Sequence, residues 1–303
     1  MNIAILGPGG VGGLLAGVLE RSGSDVVIVA RESTAQTIAE RGLDIDSVIF
    51  GKFMSRPRAV ARLEEPVDAL IVATKAAGLA PALERIVATP AVVLPLLNGL
   101  DHMDVLRERF APASVLAGSI RVEADRPEPG VIVHTSPFLL IDMAVGDPRA
   151  IEAMQQLEAA FAAAEVPVRV LGSQPQVMWS KLVRLNALAC TTSAYDKQLG
   201  EIRATPELRA DLVGSIEEAC AVGRAEGAED VDPAIAIAEL ELAHDSLGSS
   251  MQRDIAAGRA PELDAIPGSV LRAAARHGLS CPTIERLVAK IEARMAALGV
   301  PAS

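Results

Sequence analysis

Three stretches of the chain carry residue types able to do chemistry. The first is Gly7-Pro8-Gly9-Gly10-Val11-Gly12, in which Gly7, Gly9 and Gly12 stand at G-x-G-x-x-G spacing directly after the apolar run Ile3 to Leu6. A glycine at Gly7 permits a tight turn out of a strand, one at Gly9 lets backbone N–H groups approach a pyrophosphate, and one at Gly12 lets helix and strand pack closely. The second is Lys181, which shares a helical face with Val177, Leu185, Leu188 and Ala189. An ammonium in an apolar stripe is costly to bury, and burial disfavours its charged form. Such a lysine suits a general acid that protonates a carbonyl oxygen as hydride arrives at the carbon. The alternative is a stem lying on apolar surface with its head in water. The third is Glu262-Leu263-Asp264 ahead of Pro267-Gly268. Asp264 is in place to cap a helix, which leaves Glu262 as the acid available to a site.

The elements that must position these groups can be read from apolar periodicity. The glycine turn leads into a helix patterned by Val11, Leu14, Leu15, Val18 and Leu19, and a second apolar run over 26–30 closes a strand–helix–strand unit. Phosphates would then sit at the positive end of the helix dipole. A short helix over 33–41 follows, then a loosely patterned strand or loop region to Leu63. Buried strands over 69–74 and 91–97 flank a helix over 81–87. Continuous rather than alternating apolarity implies a parallel sheet covered on both faces, with ligands off the carboxyl ends of the strands. Lys75 and Asn98 lie at that edge with the glycine turn, and each is either loop filler or a cofactor contact. Arg31, at the end of the second strand, favours a 2′-phosphate and so NADP over NAD, although Glu32 beside it could serve a 2′-hydroxyl instead. Strand-like segments over 115–122, 131–134 and 138–143, a helix over 151–164 and a strand over 168–171 complete this half. Helices are expected over 176–198, 206–226 (with Thr205 as N-cap), 232–245, 250–257, 266–277 and 283–298. The fold class is therefore α/β, with an N-terminal Rossmann-type dinucleotide-binding domain over 1–172 and an all-helical substrate and catalytic domain over 173–303.

Bulk composition narrows the function further. The formal net charge of −11 opposes binding to nucleic acid or anionic membranes, and five Phe, one Tyr and one Trp are too few for base-stacking platforms. Cys190, Cys220 and Cys281 lie far apart with no C-x-x-C, and four histidines show no H-x-x-x-H spacing, so neither a disulfide framework nor a metal site is expected. The N-terminus reads as a strand and not a signal peptide, and no apolar stretch reaches the ~18 residues of a membrane span. A cytoplasmic protein acting on a small molecule is expected, with a homodimer through the helical half as the assembly considered.

Taken together, Gly7 to Gly12, Thr74-Lys75, Leu97-Asn98-Gly99, Val131-Ile132-Val133-His134, Trp179-Ser180-Lys181-Leu182, Ser249-Ser250-Met251 with Asp254, and Glu262-Leu263-Asp264 resemble the ketopantoate reductase (2-dehydropantoate 2-reductase) family over nearly the whole chain. The resemblance implies NADPH-dependent reduction of 2-dehydropantoate to pantoate, a step of pantothenate biosynthesis. It gives Lys181 the role of protonating the ketone and binding substrate, and Asn98 a place at nicotinamide and substrate. It makes Lys75 a cofactor contact and Glu262 an acid that positions cofactor and substrate. Ser249-Ser250 would meet the substrate, Ser250 at its carboxylate, and a further cofactor contact is expected near Glu123.

The departures concern the substrate. The family's pocket is rich in asparagines where this chain has Leu185, Ala189, Leu199 and Leu247, and Asn186 falls one residue late, about 100° around the helix. Leucine cannot replace the hydrogen bonds an asparagine makes to a polar substrate. A family paralogue reducing a more apolar 2-oxo acid or ketone is therefore the alternative, and a non-catalytic NADP-binding sensor the second.

Overall fold

The computed structural model of the chain describes residues 1–301. It divides into two compact units. One comprises Met1–Leu97 and His102–Val177, the other Asn98–Asp101 and the chain from Met178 onward.

The first unit holds twelve strands: β1 (Asn2–Leu6), β2 (Asp25–Val29), β3 (Leu43–Ser47), β4 (Gly51–Ser55), β5 (Arg58–Val60), β6 (Ala69–Val72), β7 (Val92–Pro95), β8 (Ala117–Arg121), β9 (Ala124–Asp125), β10 (Val131–His134), β11 (Leu140–Ala144) and β12 (Val168–Val170). Its helices are α1 (Gly10–Arg21), α2 (Glu32–Arg41), α3 (Leu79–Leu83), α4 (His102–Arg109) and α5 (Ile151–Ala163). The principal sheet is parallel, in the order β5-β2-β1-β6-β7. Chain order reverses at β1, so β1 and β6 flank the switch point at which such sheets bind ligands. The segments Ile3 to Leu6 and Ala69 to Val72 are almost wholly buried, which is why both read as unbroken apolar runs.

The loosely patterned region to Leu63 resolves into β3, β4 and β5. β3 and β4 form an antiparallel hairpin, and β3 pairs in parallel with β10, more than eighty residues on, in a second sheet of order β4-β3-β10-β9. Helix α1 meets this second sheet through its glycines. A Cβ on Gly10 would lie 2.1 Å from the Ala124 carbonyl oxygen, one on Gly13 2.3 Å from Ile132 Cδ1, and one on Gly17 2.0 Å from Ile45 Cδ1. These positions recur at helical spacing, so α1 presents a side-chain-free stripe to the sheet while Leu14, Leu15, Val18 and Leu19 fill the core. The third sheet, β12-β11-β8, carries the fully buried Asp142, which Arg169 holds at 2.6 and 2.9 Å and Arg121 approaches at 3.5 Å.

The second unit is helical: α6 (Gln174–Tyr195, beginning in the first unit), α7 (Leu199–Ala204), α8 (Pro206–Ala225), α9 (Pro233–Leu242), α10 (Ser250–Ala256), α11 (Ser269–Arg276) and α12 (Pro282–Leu298). Its centre is Trp179, 1% exposed and packed on Gly223 of α8, where a Cβ would lie 3.1 Å from the indole. Helix ends are closed by long-range side chains. Glu218 accepts from the N–H groups of Thr283 and Ile284 at the start of α12, and Arg203 donates to the carbonyls of Leu240, Glu241 and Ala243 at the end of α9. Thr205 occupies the N-cap position of α8 without a side-chain cap, since its hydroxyl donates to the Glu201 carbonyl instead. Helix α7 falls between the helices expected over 176–198 and 206–226, in a stretch too short to show apolar periodicity.

His134 makes a prediction for the first unit. It is 1% exposed on β10, with its ring nitrogens 2.8 Å from Ser47 Oγ and 3.1 Å from Ser136 Oγ. Burial holds its pKa below the ordinary histidine value of 6.5, against a smaller opposing effect of the Phe138 backbone. The unfolded chain therefore binds the proton more readily, and stability present above the unfolded pKa is lost as pH falls below it. Denaturant midpoints at pH 7 and pH 5 should differ less in His134→Gln than in the wild type; an equal drop in both would remove this group from the acid response.

Candidate active site

The glycine turn has the geometry of a phosphate cradle. Gly7 has φ +95, and a Cβ there would fall 2.8 Å from Thr74 Cγ2, so only glycine fits. Gly12 lies against the turn itself, with a Cβ position 2.1 Å from the Gly7 carbonyl oxygen. In front of Gly9, by contrast, nothing lies within 4 Å of a Cβ position. Gly9 is the N-cap of α1 and offers no side-chain cap, and no acidic residue occupies the first turn. The first N–H groups of α1, beginning at Gly10 and Val11, are thus left for an anion. The Thr74 hydroxyl oxygen, beside the turn, is buried without a hydrogen-bond partner among the described residues. These features fit the pyrophosphate of a dinucleotide. Arg31 follows β2 as the exposed N-cap residue of α2, Glu32 being absorbed into that helix, and Lys75 is exposed beyond β6.

In the second unit three predicted residues come together. Lys181 Nζ donates to Asn98 Oδ1 at 2.8 Å, and Asn98 Nδ2 donates to Glu262 Oε2 at 2.9 Å. All three are partly buried. Lys181 therefore does more than rest a stem on apolar surface, because its ammonium is held by a named acceptor. The amide can be oriented in one way only, oxygen toward the cation and N–H toward the carboxylate. It thereby links two opposite charges, the Lys181 ammonium and the Glu262 carboxylate.

Asn98 reaches this position because Asn98–Asp101 belongs to the helical unit although both flanks belong to the other. Gly99 makes the approach possible, having φ +82 and a Cβ position only 2.0 Å from the Ala265 carbonyl oxygen. Glu262 stands just before a π-helical turn, Asp264–Gly268, which contains Pro267. Proline has no N–H to give and would clash in a tighter helix; the wider turn accommodates it through Gly268 N–H to Leu263 O at 3.1 Å. Asp264 is not the helix N-cap expected from the sequence. Leu263 before it is already helical, and the Asp264 carboxylate instead accepts from Arg272 at 2.6 Å.

The serines differ in placement. Ser249 is the N-cap of α10, accepting from Gln252 N–H at 3.0 Å and lying 2.8 Å from Thr192 Oγ1, whereas Ser250 is exposed in the first turn. Of the positions that depart from the family pattern, Ala189 and Leu199 are fully buried and Leu185 and Leu247 partly so. Asn186 is also fully buried and accepts from Cys190 Sγ at 3.6 Å. The cysteines are poor nucleophiles: burial pushes Cys190 up to about 12 and Cys220 and Cys281 up to about 11. Among the described residues no group of three or more His, Cys, Asp or Glu could hold a metal, and no helix is long and apolar enough to cross a membrane.

Residues 3–144 match the family model described as ketopantoate reductase PanE/ApbA, and residues 175–295 match its C-terminal counterpart. The chain belongs to the ketopantoate reductase family. A 2-dehydropantoate 2-reductase of Caulobacter vibrioides is 30% identical, the alignment covering 96% of this chain and 98% of that one. Among solved structures, a PanE/ApbA family ketopantoate reductase from Ralstonia eutropha JMP134 is 26% identical with a TM-score of 0.86, over 99% of this chain and 100% of that one. A D-mandelate dehydrogenase solved with NADH and anilino(oxo)acetate has the same fold, with a TM-score of 0.89 at 21% identity over 99% and 100% of the two chains. As a ketopantoate reductase family member the chain is an NADP-dependent oxidoreductase acting on a CH–OH/ketone pair.

Sequence reasoning named Lys181, Asn98 and Glu262 but missed Arg272, whose spacing from Asp264 and Asp101 carries no local signal. Gly99→Ala is expected to cost more than about 1 kcal/mol, because alanine must adopt positive φ and displace the Ala265 carbonyl. Thermal unfolding and the rate of NADPH oxidation should fall together; a variant matching the wild type in both would show that the segment has room to move.

Proposed function

We propose that the protein reduces a 2-oxo acid with NADPH, 2-dehydropantoate to pantoate being the first candidate, with Lys181 as general acid. The observation that supports this most directly is the chain Lys181–Asn98–Glu262, at 2.8 and 2.9 Å. A neutral amide accepts from the lysine without taking its proton, so it can position a proton donor. The amide in turn is oriented by a carboxylate rather than by solvent. When the ketone is reduced, the Lys181 Nζ–H bond breaks and the carbonyl oxygen gains the proton, leaving a neutral amine that is reprotonated from water. The bound nicotinamide supplies the hydride. Gly7, Pro8, Gly9, Gly10, Val11 and Gly12 are assigned to the pyrophosphate, Arg31 to the 2′-phosphate, and Lys75 to the cofactor. Asn98 and Glu262 orient the reactants, and Ser249 and Ser250 are assigned to the substrate side, with the exposed Ser250 at the carboxylate. In this reading residues 1–172 bind the cofactor and residues 173–303 carry the substrate and the proton donor.

A second reading, a more apolar 2-oxo acid or ketone as substrate, is favoured by Leu185, Ala189, Leu199 and Leu247. None of these can hydrogen-bond a hydroxyl on the substrate side chain.

Three experiments test these assignments. In Lys181→Ala, kcat should fall by at least about a hundredfold while NADPH affinity by calorimetry stays within a few-fold. Comparable turnover in variant and wild type would refute the proton-donor role. Running the same assay with 2-dehydropantoate beside 2-oxo acids of purely apolar side chain decides between the two substrate readings. Separately, Arg31→Ala should weaken NADPH binding by about tenfold or more and leave NADH nearly unchanged, since a charge-assisted bond to a phosphate is lost. Equal losses for both cofactors would argue that Arg31 does not read the phosphate.

A further inference from the structure

We propose that Arg272 is a positioning residue for this reaction: by bridging Asp101 and Asp264 it holds Asn98 and Glu262 in register with Lys181. The proposal rests on the reading of Lys181, Asn98 and Glu262 as the groups that serve the substrate carbonyl.

The segment Asn98–Asp101 is tied to the stretch around Glu262 at three successive places. Asn98 donates to Glu262 at 2.9 Å. Gly99 lies against the Ala265 carbonyl oxygen, 2.0 Å from its Cβ position. Asp101 accepts from Arg272 Nη2 at 2.5 Å, and the same guanidinium donates from Nη1 to Asp264 Oδ1 at 2.6 Å and from Nη2 to the Asp264 carbonyl oxygen at 2.9 Å.

One hydrogen bond alone is a pivot. A segment held only at Asn98 could rotate about that bond, and rotation would cost Asn98 either its lysine or its carboxylate. The second attachment, three residues along at Asp101, removes this freedom. Asp264 stands two residues after Glu262, so the guanidinium ties together the two short stretches that carry the partners of Lys181.

The geometry needs arginine, because a planar fork reaches two carboxylates and a carbonyl where an ammonium is a point charge. Room for the fork is left at Gly268, where a Cβ would stand 3.1 Å from Arg272 Nη1 and 3.2 Å from Asp264 Oδ1. The neighbouring Asp101 carboxylate, helped by Asp264, raises the Arg272 pKa. The side chains of Arg272, Asp101 and Asp264 are 43%, 48% and 71% exposed, so the network adds little to global stability. Its loss should therefore appear in the chemistry rather than in unfolding.

The test compares Arg272→Gln, Asp101→Asn and the double variant with the wild type, using the 2-oxo acid that the wild type turns over best. Each single variant should lower kcat about tenfold or more, since small misplacements of reacting groups are costly, with KM for NADPH and the thermal midpoint unchanged. The double variant should be no worse than Arg272→Gln, as expected for two groups acting through one contact. The solvent deuterium isotope effect on kcat should rise, because proton delivery becomes slower; a purely structural role would not move it. Arg272→Lys should fail to restore kcat. A crystal structure of Arg272→Gln should show Asn98 rotated away from Lys181 or Glu262. The proposal is overturned if kcat stays within twofold, if kcat falls only alongside the thermal midpoint with the isotope effect unchanged, or if Asn98 keeps both bonds in that crystal structure. Turnover by Lys181→Ala would instead defeat the underlying reading; a dead Lys181→Ala with an unaffected Arg272→Gln would defeat the clamp alone.

Discussion

The arrangement around the Asn98 side chain is the constraint on which the proposed site of the helical unit depends. One amide accepts from an ammonium and donates to a carboxylate, at 2.8 and 2.9 Å. Because amide oxygen and nitrogen are not interchangeable in that setting, the contact fixes a direction as well as a distance. Much of the surrounding structure follows from keeping it there. Gly99 has no side chain because the backbone must come so close to Ala265, and the π-helical turn after Glu262 lets Pro267 sit inside a helical segment without disrupting it.

The first unit solves a different problem, the presentation of bare backbone. Gly9 is left open, the start of α1 carries neither a side-chain cap nor an acid, and Gly12 packs on the turn so that no side chain intrudes. A helix start in that condition is a poor end for a free-standing helix but a good one for an anion. The same helix bears glycines facing β3, β9 and β10, and their missing side chains serve packing. Gly10, Gly13 and Gly17 let a sheet lie almost on the helix backbone. One glycine-rich stretch thus leaves its tip bare and packs closely along its side.

A contrast in polarity runs along α6. Lys181, the proposed proton donor, is followed one and two turns further along by Leu185 and Ala189. Hydride and proton transfer ask only for a polarised carbonyl, so they place no demand on the substrate's side chain. Recognition of that side chain is instead carried by the polarity of the residues that meet it.

Much of this was legible in the residues themselves. The glycine spacing, the buried parallel strands, the helical second half and a lysine set in an apolar stripe all express local periodicity, which short-range sterics and burial impose on neighbouring residues. Local pattern left residues 43–60 open between strand and loop, because β3 takes its partner from β10, far along the chain. Nor could it show that Asn98 meets Glu262 across 164 positions, that Asn98–Asp101 packs with the helical unit, or that Asp264 turns to Arg272 instead of capping a helix. Those are choices among distant partners. A chain's own periodicity says which face a side chain presents, and only tertiary packing says what that face meets.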